Sequence, residues 1–165
     1  MENKNAKKRI LVIEDEPIIS LIAVRVLRAE GFDVDIANNG KAAKSMSDKV
    51  LHYLYLCDIR TPTMNGMEFY DYLSRLHPGR ESRIIFTTGD TLSHEIKAFL
   101  NDKDNLFLAK PFTPEELRVV IKKHLKHGGI SAFYGKLLDF YAKKQYVCLM
   151  AIHAVINKQT PPYTL

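Results

Sequence analysis

The sequence predicts an α/β protein: a parallel sheet with helices on both faces. Three observations predict it. Short β-branched or aromatic apolar runs recur at residues 10–13, 53–57, 84–87 and 106–109, each too short for a buried helix and suited to a buried strand. Segments with apolar residues at helical spacing separate them, and such alternation implies parallel strands joined by right-handed crossovers. Each apolar run then stops abruptly at polar residues: Glu14-Asp15-Glu16, Asp58, Thr88-Gly89-Asp90 and Lys110.

Ile10-Leu11-Val12-Ile13 is the first strand and stops at three adjacent carboxylates, which repel one another unless a cation sits nearby. Pro17 suits the first turn of a helix, predicted over 17–30 with Ile18, Leu21, Ile22 and Leu27 at roughly helical spacing. Gly31 is its stop. Residues 32–37 alternate as a strand, with Phe32, Val34 and Ile36 on one side and Asp33 and Asp35 on the other. After the turn Asn38-Asn39-Gly40, a helix over 41–49 turns Ala42, Ala43 and Met46 inward.

The strand 53–58 ends on Asp58, before a loop punctuated by Pro62 and Gly66. A helix over 67–76 repeats Met67, Tyr70 and Leu73, and His77-Pro78-Gly79 ends it. The fourth strand runs into Thr88-Gly89-Asp90, and a short helix over 93–100 takes Thr91 or Ser93 as its cap. The fifth strand, 106–109, ends in Lys110-Pro111-Phe112. Thr113-Pro114-Glu115-Glu116 is a helix start with Thr as N-cap, Pro at the first position and Glu116 as capping-box partner. That helix runs to about residue 125, with Leu117, Val120, Ile121 and His124 or Leu125 facing in.

A chain of 165 residues with 46% apolar and 26% charged residues has the profile of one soluble globular domain with an appendage. Its two cysteines, Cys57 and Cys148, form no Cys-x-x-Cys or Cys/His cluster, which argues against a zinc site. Cys57, inside the third strand, reads as a small hydrophobe. Residues 1–8 form a polar tail without an apolar signal region, so the cytoplasm is the expected location. The net charge of +5 comes from the ends: Lys4, Lys7, Lys8 and Arg9 at the start, and Lys126, Lys136, Lys143, Lys144 and Lys158 late in the chain. The stretch between is slightly acidic. No DNA-reading motif accompanies the basic ends, so solvated tails are favoured over nucleic-acid binding.

Beyond a flexible joint at Lys126-His127-Gly128-Gly129, Ile130, Phe133, Tyr134, Leu137, Leu138 and Tyr141 keep helical spacing. Residues 147–156 are then nearly all apolar, broken only by His153. That run is about half of what a bilayer requires, which argues against a membrane helix. The extension 126–165 reads as mostly helical. It is too short for a core of its own, so it docks on the preceding domain or on another chain, with a homodimer favoured. Residues 157–165 read as a frayed end.

In a parallel sheet the strand ends share one edge, so Glu14, Asp15, Asp58, Thr88 and Lys110 converge where ligands of open α/β sheets bind. Three carboxylates, a hydroxyl and an amine could bind Mg²⁺ through oxygen, or hold a phosphoryl group between metal, lysine and threonine. An Asp can serve as nucleophile and form an aspartyl-phosphate. Each residue also has a plainer role as cap, turn residue or surface charge. Their coincidence at corresponding strand ends favours function.

The pattern resembles the receiver domain of two-component response regulators, the phosphate-accepting module of histidine–aspartate phosphorelays. The matching pieces are Leu11-Val12-Ile13-Glu14-Asp15-Glu16-Pro17, then Asp58-Ile59-Arg60-Thr61-Pro62-Thr63-Met64-Asn65-Gly66-Met67-Glu68, then Ile85-Phe86-Thr87-Thr88-Gly89 and Lys110-Pro111-Phe112, within residues 9–125. The resemblance implies a flavodoxin-like five-stranded sheet of order 2-1-3-4-5. It implies that Asp58 is phosphorylated, with a sensor histidine kinase or histidine phosphotransfer protein as donor. It implies that Asp15, Asp58 and the Arg60 carbonyl hold Mg²⁺, with Glu14 assisting through water. It also implies that Lys110 pairs with the phosphoryl oxygens and that Thr88 bonds them on activation. Such a protein is a phosphoacceptor with at most self-catalysed phosphorylation and dephosphorylation, not a dedicated enzyme.

Four positions depart from the family pattern. Glu14 stands where Asp is frequent, Thr61 where Met is frequent, and Gly89 where Ala is common. Phe107 stands at the switch aromatic and lacks the hydroxyl of the usual Tyr. Two other readings compete. A haloacid-dehalogenase-type phosphatase also uses an Asp nucleophile, but it needs a second acid two residues on, where this chain has Arg60. A DNA-binding regulator acting through the basic tail is disfavoured by the tail's length.

Overall fold

Among the described residues five strands alternate with five helices: β1 (Arg9–Ile13), α1 (Pro17–Ala29), β2 (Asp33–Ala37), α2 (Gly40–Lys49), β3 (Leu54–Asp58), α3 (Gly66–Leu76), β4 (Ile84–Thr88), α4 (His94–Asp102), β5 (Leu106–Ala109) and α5 (Pro114–His127). A single 3₁₀ turn, Glu81–Arg83, leads into β4; no sequence signal marked it. The computed structural model describes residues 7–90, 93–102 and 105–127. The expected helical extension, and Thr91 as an alternative cap, lie outside the described residues. Among the described residues no helix is long and apolar enough to cross a membrane.

The sheet order is β2-β1-β3-β4-β5, with every neighbouring pair parallel. This is the expected doubly wound order. β3 and β4 are buried along their whole length, and β1 everywhere except Arg9. Burial on both faces explains why these strands read as apolar runs rather than as alternation. In register, Ile13 faces Cys57, Asp58 faces Thr87 and Thr88 faces Ala109. The polar residues that follow β1, β3, β4 and β5 therefore meet at one edge.

Local chemistry fixes where the helices begin. The Asn39 side chain accepts the Ala42 N–H at 2.9 Å. Asn65 accepts the Glu68 N–H at 2.9 Å while its own N–H donates to Glu68 Oε2 at 2.7 Å. Thr113 and Glu116 form the expected reciprocal pair, at 3.2 and 2.8 Å. Each such cap contributes about 1 kcal/mol. Gly31, at φ 91°, reverses the chain after α1 in the left-handed region that favours glycine.

Two faces differ from expectation. In α1, Ile18, Leu21 and Ile22 are 75%, 51% and 37% exposed. The buried residues are Ser20, Ala23, Val24, Val26 and Leu27, so the inward face opens on the small Ser20 and Ala23. On edge strand β2, Val34 and Ala37 are buried while Ile36 is 48% exposed. In α3, Phe69 and Tyr72 join Leu73 in the core, and Met67 and Tyr70 pack at its margin.

Candidate functional site

The site is built where β1, β3 and β5 run out. The Glu14 N–H extends the β1–β2 ladder to Ala37 O at 3.0 Å, and its side chain is buried. Asp58, the last residue of β3, is also buried. The Lys110 N–H bonds Thr88 O at 2.7 Å, which fixes the lysine one step beyond β5. Its Nζ then reaches Asp58 Oδ2 at 2.7 Å, Glu14 Oε2 at 2.8 Å and Glu16 Oε1 at 3.2 Å. The peptide bond between Lys110 and Pro111 is cis.

The electrostatics follow from burial. Desolvation raises the Glu14 carboxyl above the ordinary glutamate range, the nearby Asp58 charge adds to this, and Lys110 only partly offsets it. Burial works against the Lys110 ammonium, yet its hydrogen bonds to Asp58 and Glu14 prevail and hold its pKa above the usual lysine value. Beneath the site, burial pushes the Cys57 thiol far up, so it stays protonated and inert.

Oxygens of Glu14, Glu16 and Asp58 lie within 4.8 Å of one another. One ammonium against three carboxylates leaves negative charge uncompensated, and hard oxygen donors at this spacing suit a divalent cation such as Mg²⁺. Asp15 is exposed and stands outside this cluster; Glu16 stands in its place. The chain bends at Asp15, and Glu16 returns to extended backbone at φ −82°, ψ 111°, from where its carboxylate reaches Lys110 Nζ at 3.2 Å.

Over Asp58, the Arg60 N–H donates to Oδ1 at 3.2 Å, and the Arg60 guanidinium pairs with Asp90. Thr88 is fully buried. Its hydroxyl accepts the Asp90 N–H at 3.0 Å and donates to Asp90 O at 3.3 Å. Asp90, the last residue of the Thr88-Gly89-Asp90 run after β4, thus touches two of the expected site residues. Phe107 lies opposite Phe86 in the β4–β5 register and packs partly buried against the core. Gly66 closes the loop from below. A Cβ there would meet Asp58 O at 2.8 Å and Ile59 Cα at 2.9 Å, so only glycine lets α3 start this near Asp58.

Known proteins share this architecture. The family model described as the response regulator receiver domain matches residues 10–122. The DNA-binding response regulator MtrA of Mycolicibacterium smegmatis is 29% identical over 120 residues, 73% of this chain and 51% of that protein. The chain spans about half the length of curated relatives such as this one. A CheY-like response regulator receiver domain protein from Methanospirillum hungatei superposes with a TM-score of 0.66 at 30% identity, covering 73% of this chain and 95% of that one. The receiver domain of sensor histidine kinase PA1611 from Pseudomonas aeruginosa, solved with magnesium coordinated in its active-site cleft, superposes at 0.62 with 26% identity, covering 72% of this chain and 97% of that one. Fold, strand-end cluster and family match agree, and the chain belongs to the response regulator receiver domain family.

Proposed function

We propose that Asp58 is the phosphoacceptor, taking a phosphoryl group from a phosphohistidine on a sensor histidine kinase or a histidine phosphotransfer protein. The observation that carries this reading is the buried contact of Asp58 with Lys110 at 2.7 Å, beside Glu14. The Asp58 carboxylate attacks phosphorus, and an O–P bond forms as the P–N bond to the donor imidazole breaks. The electron pair returns to that nitrogen, which takes a proton from solvent. Lys110 pairs with the phosphoryl oxygens, Thr88 turns its hydroxyl to them, and the Arg60 N–H orients the nucleophile. Phe107 is the candidate switch aromatic on the output side.

Asp15, Asp58 and the Arg60 carbonyl would hold Mg²⁺, as the family resemblance implies, with Glu14 assisting through water and Glu16 adding an outer oxygen within 4.8 Å of those of Glu14 and Asp58. A bound Mg²⁺ supplies charge neutralisation at the transferring oxygens. Such a relay protein works in the cytoplasm. The extension 126–165 serves self-association or a partner rather than DNA.

Incubation with acetyl phosphate and Mg²⁺, read by intact mass, tests the acceptor. The wild-type chain gains one phosphoryl group and Asp58→Asn gains none while staying folded; equal modification of the variant places the acceptor elsewhere. Truncation after His127, read by light scattering, tests the extension. An unchanged oligomeric state removes it as the dimer element.

A further inference from the structure

We propose that Thr61 is a positioning residue: its hydroxyl closes the loop between β3 and α3 from inside and so fixes the direction of the Arg60 carbonyl, one of the oxygens that would hold Mg²⁺. This role rests on Asp58 and the Arg60 carbonyl being metal ligands.

The loop is held at three levels. At its base the Gly66 N–H donates to Ile59 O at 2.9 Å, and the Ile59 N–H donates to Thr87 O of β4 at 2.9 Å. Inside it the Thr61 hydroxyl donates to Met64 O at 2.8 Å, while the Met64 N–H donates to Pro62 O at 2.8 Å. Behind it stands the start of α2, where a Cβ at Gly40 would come within 2.1 Å of Met64 O. The Met64 carbonyl is thus both tied by Thr61 and backed by a helix.

Three restrictions meet at Thr61, which is buried. Pro62 follows it and disfavours helical backbone. Its branched Cβ limits χ1, and its hydroxyl proton is given to Met64 O. The peptide that carries the Arg60 carbonyl joins Arg60 to this residue. The Arg60 side is held as well, because its N–H donates to Asp58 Oδ1 at 3.2 Å. Turning the carbonyl away therefore requires both neighbours to give. Groups that orient a ligand without touching the metal commonly change its affinity about 10–100-fold. The methionine frequent at this position in the family has no side-chain proton to donate, so the tie belongs to this chain's own loop.

Mg²⁺ titration calorimetry on the full chain tests the role. Thr61→Val keeps the branched shape and removes the hydroxyl, and its Mg²⁺ affinity falls about threefold or more. Thr61→Ser keeps the hydroxyl and binds Mg²⁺ as the wild type does. Tyr72→Phe removes a hydroxyl that pairs with Asp48 between α3 and α2; it controls for lost stability and leaves the affinity unchanged. In Thr61→Val the Mg²⁺ concentration for half-maximal phosphorylation by acetyl phosphate rises by the same factor, while the rate at saturating Mg²⁺ matches the wild type. An unchanged affinity in Thr61→Val, a Thr61→Ser as weak as the valine variant, or an equal loss in Tyr72→Phe would overturn the role of Thr61. Absence of Mg²⁺ binding by the wild type would instead overturn the metal reading, and this role with it.

Discussion

Lys110 Nζ stands 2.7 Å from Asp58 Oδ2 across 52 positions of sequence, with both side chains less than a tenth exposed. The lysine is the cation that the clustered carboxylates require. Lys110→Ala leaves Glu14 and Asp58 buried and uncompensated, a change of the kind that costs about 3–5 kcal/mol. Denaturant unfolding in EDTA is expected to show that loss. Millimolar Mg²⁺ is expected to recover part of it, and no recovery would mean the oxygens do not bind the ion.

The identity of the third oxygen is open to direct measurement. Asp15→Asn is expected to weaken Mg²⁺ binding about tenfold or more, since hard cations favour anionic oxygen. Glu16→Gln is expected to do less, its side chain being 60% exposed and free to rehydrate. Titration calorimetry decides; the reverse order would make Glu14, Glu16 and Asp58 the binding set.

Acid sensitivity should come from two histidines. Burial holds His52 and His124 below the ordinary value of 6.5, with Asp35 offsetting part of the effect at His52. Nδ1 of each has no partner among the described residues, so a proton there would be buried unbonded. Because the folded pKa is depressed, the unfolded chain binds the proton more readily. Stability is therefore full above pH 6.5 and falls as the pH drops through the folded values. His52→Gln should flatten that fall in a pH series of melts; an unchanged slope would assign it to other groups.

Thr63 occupies φ 63° without being glycine, in the loop between β3 and α3. A β-branched residue is costly there, at about 1–2 kcal/mol. Asn tolerates this region, so Thr63→Asn is expected to raise the unfolding midpoint by an amount equivalent to about 1 kcal/mol. A lower midpoint would mean that the Thr63 side chain makes contacts that outweigh its backbone.

Much of this was legible in the residues. Glu14, Asp58, Thr88 and Lys110 each follow an apolar run, and parallel topology alone brings them to one edge. Other features were hidden for physical reasons. The inward stripe of α1 runs through Ser20 and Ala23, because a helix lying close on a sheet favours small residues, and the larger Ile18 and Leu21 drew attention to the wrong face. Glu16 replaced Asp15 in the cluster because the chain bends at Asp15, and three adjacent carboxylates carry no sign of where such a bend falls. The Arg60–Asp90 pair spans 30 positions, and neither residue carries a local signal of the other.

Glu14 and Lys110 touch although 96 positions separate them, and Lys110 follows the last strand of the sheet. A ribosome has therefore made nearly the whole domain before Asp58 gains its counterion. Contacts this distant in sequence form late, because the loop they close must first be ordered. Partly made or partly unfolded chains keep Asp58 but lack the lysine that completes its surroundings. With Asp58 as the proposed acceptor, competence to receive a phosphoryl group becomes a property of the finished fold, and a phosphorylation assay would double as a count of correctly folded molecules.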